Sequence, residues 1–131
     1  MITEHLPILS ADMHLGEAII LVSKGKLGLG VAVKSEKRTV KSEKLEMRNE
    51  KWKVEGLITD GDIRRAMEKW QAEFFNRTVA DIMTRTPKTV GPQTKISEIQ
   101  RIMNKNKIHN VLVVDDANHL LGIVDRYACV L

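Results

Sequence analysis

The sequence predicts an α/β chain of the α+β kind, built as two β-α-β-β-α repeats packed as a pseudo-symmetric pair. Three observations carry this. First, the chain repeats itself. Leu15-Gly16-Glu17-Ala18 aligns with Ile96-Ser97-Glu98-Ile99 at an offset of 81, and Gly56-Leu57-Ile58 aligns with Gly122-Ile123-Val124 at an offset of 66. Second, each copy shows apolar residues at helical spacing and then short unbroken apolar runs, Val31-Ala32-Val33 and Leu112-Val113-Val114. Such runs mark strands covered on both faces. Third, in Gly56-Leu57-Ile58-Thr59-Asp60-Gly61-Asp62 an apolar strand runs straight into a helix, with a hydroxyl and two carboxylates at the junction.

The first copy is expected over residues 1–75 and the second over 76–131. Copy one opens with an extended piece, Pro7 to Leu9. A helix starting at Asp12 or Met13 turns Leu15, Ala18, Ile19 and Val22 to one side. Strands follow at Gly30–Val33 and Val54–Ile58. The two offsets differ by 15, which marks an insertion in copy one, at about 34–53. Within it Leu45, Met47, Trp52 and Val54 suggest an extended hairpin with Lys and Glu facing water, and a loop or a short helix is the other reading. A second helix runs from Asp60 to Trp70. Thr59 fits its N-cap, and Asp62 has the reciprocal spacing of a capping box, with Asp in place of Glu or Gln. Arg77 to Thr84 reads as a short helical entry into copy two. There Lys88–Val90 is extended, and a helix from Gln93 or Thr94 faces Ile96, Ile99 and Met103 inward. Strands Asn110–Val114 and Leu120–Val124 are joined by a tight Asp115–Asn118 turn. The last helix is cut short at Leu131.

Apolar residues make up 43% of the 131, enough for a core, and no run is long enough to span a bilayer. The first residues lack the basic and apolar regions of a signal peptide, and Cys129 is a lone cysteine. No intrachain disulfide forms, and a reducing, cytoplasmic setting is expected. The insertion carries eight Lys/Arg against four Glu, a net +4 that equals the net charge of the whole chain. The basicity therefore belongs to one segment, with Trp52 as its only aromatic. Nucleic acid is not the expected partner.

Among the polar residues, Thr59 and Asp62 either cap a helix or line a phosphate-binding helix start. Asp60 and Asp62, two residues apart, do not face each other well enough for Mg²⁺, and the four histidines lack metal-ligand spacing. Cys129 has no base beside it and reads as a core residue. Arg64 and Arg65 read as a solvated helix face. No nucleophile, base and orienting group converge, so no catalytic residue, metal or cofactor is assigned.

The repeat resembles the CBS domain, and the whole resembles a tandem CBS pair, or Bateman module, from about Leu6 onward. Gly56-Leu57-Ile58-Thr59-Asp60-Gly61-Asp62 is similar to the nucleotide motif of that family, and Val79-Ala80-Asp81-Ile82-Met83-Thr84 to the opening of its second unit. Lys26-Leu27-Gly28 with Thr59-Asp60-Gly61-Asp62-Ile63-Arg64-Arg65 resembles, more narrowly, the C-terminal CBS pair of bacterial arabinose-5-phosphate isomerases, which supply the precursor of the lipopolysaccharide sugar Kdo. The resemblance implies a regulatory, non-catalytic module that binds an adenine or cytidine nucleotide or a nucleotide sugar and modulates a linked isomerase domain. It implies Asp62 as ribose ligand and Thr59 as phosphate ligand, with Gly56 and Ile58 as the rest of the binding motif. Copy two departs, with Asp125 at the Thr position and Ala128 at the Asp position, so a nucleotide site is expected in copy one only. The alternative is a ligand-free dimerisation or interaction module. A homodimer is expected in either case, because Ile63, Ala66, Met67, Trp70, Phe74 and Phe75 exceed what one sheet face needs.

Overall fold

The computed structural model describes residues 6–25, 27–36 and 51–126. Within these residues the repeat is reproduced from the first strand of each copy to its third. Copy one holds β1 (Ile8–Leu9), α1 (Leu15–Gly25), β2 (Leu29–Glu36), β3 (Lys51–Thr59) and α2 (Asp60–Trp70). A 3-10 turn (Gln71–Asn76) and the short α3 (Val79–Ile82) lead to β4 (Thr89–Val90), α4 (Ile96–Asn106), β5 (Asn110–Val114) and β6 (Leu120–Asp125). The offset of 81 carries both ends of α1 onto both ends of α4. Each copy forms a three-stranded sheet, ordered β1-β2-β3 and β4-β5-β6, with a parallel first pair and an antiparallel second pair.

Even the irregularities repeat. Val33 pairs with Val54 but Ala32 with Gly56, which leaves Glu55 as an extra residue; Val114 pairs with Leu120 but Val113 with Gly122, which leaves Leu121. A bulge of this kind re-aims the strand. It turns Val54 and Leu120 to the same face as Leu57 and Ile123, and leaves Leu121 exposed.

Three cores follow from strands that are apolar on both faces. Leu29, Val31, Val33 and Val54 of one sheet pack against Leu112, Val114, Leu120 and Ile123 of the other, so the two sheets meet face to face. Behind the first sheet, Leu9, Ala32 and Ile58 lie under α1, α2, Phe74, Val79 and Met83. Behind the second, Val90, Val111, Val113 and Val124 lie under Ile99 and Met103 of α4. Each sheet is thus sandwiched, as its continuous apolar runs require.

Several expectations shift in detail. Past the extra residue Glu55 the strand pair continues into the insertion and stays paired out to Glu36 and Lys51, as the extended-hairpin reading has it, while Leu45, Met47 and the rest of 37–50 lie outside the described residues. Cys129, Ala128 and the predicted last helix lie outside them too. α1 begins at Leu15, later than Asp12 or Met13, and α4 is preceded by Lys95 rather than capped by Thr94. Ile96 does not face inward but is exposed. Its counterpart Leu15 is fully buried because residues 74–79 run across the start of α1, where the Leu15 N–H donates to the Arg77 carbonyl. No described segment covers the start of α4 in that way. The apolar surplus on α2 is also smaller than predicted. Ile63, Ala66 and Phe74 are consumed by the core of copy one, and Met67 and Phe75 remain exposed, as does Ile20 of α1.

Candidate functional site

The face-to-face packing brings the start of β2, the end of β3, the start of β5 and the end of β6 to one end of the molecule, where a cleft of about 780 Å³ opens. That is within the range of small-molecule sites. Copy one supplies Leu27, Gly28, Leu29, Leu57 and the start of α2. The lead into β4 supplies Thr84, Thr86, Pro87 and Lys88, and copy two supplies Asn106 to Asn110 and Asp125.

Local chemistry fixes the copy-one wall. Thr59 is extended (φ −121°, ψ 168°) and caps α2. Its Oγ1 accepts from the Asp62 N–H at 3.2 Å, and its own N–H donates to Asp62 Oδ2 at 2.9 Å. The predicted capping box is therefore present. Arg65, one turn along, donates to Asp62 Oδ1 at 2.6 Å. Its guanidinium also lies over Gly61, where a Cβ would come 3.3 Å from Nη1. Arg65 is thus drawn to the helix start while its side chain stays exposed, on the solvated face expected for it. Gly28 has φ +70°, a left-handed conformation that side chains resist. This aims its carbonyl at the Asp60 N–H, 3.0 Å away, and ties the β2 lead-in to the start of α2.

The four predicted ligand residues divide. Thr59 and Asp62 line the cleft. Gly56 and Ile58, the other two residues of the predicted motif, are not among the residues that line it. Ile58 is fully buried beneath α1 and α2, on the opposite face of β3 from Leu57. Gly56 is a packing glycine, since a Cβ there would lie 2.6 Å from Met83 Sδ and 2.9 Å from the Thr84 carbonyl. That close approach lets residue 84 pair with β3, with Leu57 N to Thr84 O at 3.0 Å and Thr84 N to Leu57 O at 2.8 Å, and so places Thr84 in the cleft.

Copy two completes the cleft. Asp125 stands where copy one has Thr59, and Asn110 where it has Leu29. Lys88, Lys107 and Asn110 were not singled out from the sequence, and His109 was weighed only as a metal ligand. The offset of 81 marks Asn110 as the polar member of an otherwise apolar pair, but nothing local marks the two lysines. Among the described residues there is no cluster of His, Cys, Asp or Glu that could hold a metal, and no helix long and apolar enough to cross a membrane.

Comparison with known proteins gives a consistent result. A family model described as CBS domain matches residues 79–130. The chain is 30% identical, over 92% of its length, to a Haemophilus influenzae protein named probable arabinose 5-phosphate isomerase, and it spans 31% of that protein. Among solved structures, CBSX2 in complex with AMP is similar with a TM-score of 0.74 at 21% identity, covering 99% of this chain and 89% of that one. The CBS domain pair of protein MJ0100, in complex with 5-methylthioadenosine and S-adenosyl-L-methionine, is similar with a TM-score of 0.69 at 25% identity, covering 92% and 82%.

Proposed function

Because this chain is a CBS domain pair, we propose that it senses one nucleotide-type ligand in the cleft and modulates a linked arabinose 5-phosphate isomerase in the cytoplasm. The ligand is an adenine or cytidine nucleotide or a nucleotide sugar. The observation that carries this reading is that Thr59 and Asp62, held by one capping box, line a cleft whose other wall carries Lys88 and Lys107.

A carboxylate has about four acceptor positions. The Thr59 N–H and Arg65 engage Asp62 once each, which leaves capacity for the two hydroxyls of a ribose. The Thr59 hydroxyl accepts from the Asp62 N–H and keeps its own proton to donate to a phosphate oxygen. Asp60 and Asp62 at the helix start oppose a phosphate, and the two lysines offset them. Two solved relatives of this fold are described in complex with AMP and with adenosyl compounds, which favours the adenosyl class. The isomerase link rests on the named relative, of which this chain spans about a third. Regulation then requires only that the ligand bind one arrangement of the linked domains better than another.

Calorimetry with AMP, CMP and a CMP-sugar tests this. One site per chain is expected for at least one of them. Two equivalent sites per chain, or heat from none, overturns the reading.

A second reading, an interaction module without a ligand, is favoured by the exposed apolar group Ile20, Met67 and Phe75 on the helical side of copy one. It predicts a homodimer and no nucleotide heat.

A further inference from the structure

We propose that Asn110 is a specificity-determining residue that selects nucleobases bearing an exocyclic amino group, as adenine and cytosine do, over their keto counterparts. The inference rests on the nucleotide reading above and goes on to say which bases that site accepts.

Asn110 begins β5 and lines the cleft. Its Oδ1 is withdrawn from water and has no hydrogen-bond partner among the described residues. A buried carbonyl without a donor is costly, and native proteins leave few such atoms without a reason. The cost is avoidable here. The position aligned with Asn110 in copy one is Leu29, which is fully buried and satisfied by apolar packing alone. Both residues open the second strand of their sheet, and each stands opposite the last residue of the third strand, Thr59 for Leu29 and Asp125 for Asn110. The fold therefore accepts an apolar residue at this point, yet the cleft-lining residue of copy two carries an acceptor.

The surroundings identify the kind of donor. Leu27, Leu29, Leu57 and Ile108 give the cleft an apolar lining suited to a flat ring. Thr59 and Asp62 stand on the copy-one wall, in position for the phosphate and ribose. The base is then the part of the ligand left for copy two, and a small turn of the Asn110 amide presents its carbonyl to an N–H at the ring edge. An exocyclic amino group supplies that N–H. A keto oxygen at the same place meets Oδ1 acceptor to acceptor, and a site built to pair a polar group rejects the analogue that cannot pair.

The experiment is a set of calorimetric titrations of the whole chain with AMP against IMP and CMP against UMP, each pair differing in one amino-to-keto exchange at the base. The amino member of at least one pair should bind about tenfold more tightly or better, the scale of one good hydrogen bond. In Asn110→Leu the ratio should fall to within about twofold, while the ligand-free unfolding midpoint stays or rises, because an unpaired acceptor has been removed. Asn110→Ser serves the same purpose if the leucine variant does not fold. Equal binding of the amino and keto members by the parent chain overturns the inference. So does a keto preference, which would put the NH₂ end of the amide at the base, and so does a ratio that survives both substitutions. If neither these four nucleotides nor a CMP-sugar binds, the nucleotide reading itself fails, an outcome distinct from binding without discrimination.

Discussion

Replacing Asp62 by Asn and by Ala separates its two roles, because the structure gives its two oxygens different work. Oδ2 accepts the Thr59 N–H at 2.9 Å, and Oδ1 pairs with Arg65, whose side chain is 70% exposed. In Asp62→Ala the Thr59 N–H loses its acceptor, while Thr59 Oγ1 can still take the N–H of residue 62. One capping bond contributes about 1 kcal/mol. The exposed Arg65 pair and the negative charge at the helix start add a few tenths each after solvent screening. The total is about 1–2 kcal/mol, or a fall in Tm of roughly 3–8 °C for a chain of this size. In Asp62→Asn the amide oxygen still accepts from Thr59, so the stability loss should stay below about 1 kcal/mol. Ligand binding should respond differently. Hydrogen bonds to a charged group contribute about 1.5–3 kcal/mol, so Ala should weaken a ribose-bearing ligand by about one to two orders of magnitude. Asn keeps one neutral acceptor and should lie between Ala and the parent. Urea unfolding without ligand and calorimetry with ligand measure the two effects independently. Equal destabilisation by Asn and Ala would refute the capping argument. Unchanged affinity in both variants would show that Asp62 does not touch the ligand.

Three further outcomes are expected. Gly56→Ala should destabilise the chain by about 1–3 kcal/mol in chemical unfolding and weaken ligand binding as well, since the new Cβ, 2.9 Å from the Thr84 carbonyl, displaces a cleft-lining segment. The Asp115 carboxyl is held below its ordinary 3.8 chiefly by the His119 backbone N–H, with the His119 side chain and the Ala117 N–H adding to this. A depressed folded-state pKa gives stability that is complete above the unfolded value and is lost as pH falls through the folded one. Asp115→Asn should therefore flatten the decline of unfolding midpoint below about pH 4, and an unchanged acid limb would count against the assignment. Finally, if the chain is a homodimer through the exposed apolar group of copy one, Phe75→Ser with Met67→Ser should shift light scattering at micromolar concentration from dimer to monomer with little change in unfolding midpoint, as both side chains are exposed.

Much of the fold was legible because the repeat is written in apolar residues, and apolar periodicity is what packing reads. The two offsets map α1 onto α4 and one strand pair onto the other, and the structure keeps that match down to the extra residues Glu55 and Leu121, although both helices begin later than predicted. The capping box was legible for a different reason: its spacing is local, and Thr59 and Asp62 need no tertiary partner to form it. What failed was whatever depends on which segment crosses which. Leu15 and Ile96 are equivalent in pattern, but only Leu15 has chain lying over it. Ile63, Ala66 and Phe74 read as surplus because the sequence does not reveal that the residues after α2 fold back onto the same sheet. In the site, Ile58 belongs to the motif by spacing, yet strand alternation turns it away from the cleft. Lys88 and Lys107 join the cleft only through the meeting of the two sheets, a contact with no local signature.

The departures from symmetry are where the chemistry is concentrated. The pseudo-twofold arrangement gathers four strand ends, Leu29, Thr59, Asn110 and Asp125, around one opening. With identical copies, the cleft would present the same groups from both sides, and a ligand would have two equivalent orientations. Here an apolar residue of one copy answers to an amide in the other, and a capping hydroxyl to a carboxylate. A nucleotide is itself polar at one end and flat at the other, so it can satisfy this arrangement in one orientation only. The carboxylate of Asp125 also repels a phosphate placed at the position equivalent to Thr59. Unlike halves around one opening therefore argue for a single, oriented ligand per chain, and a measured stoichiometry of two would contradict that argument at its root.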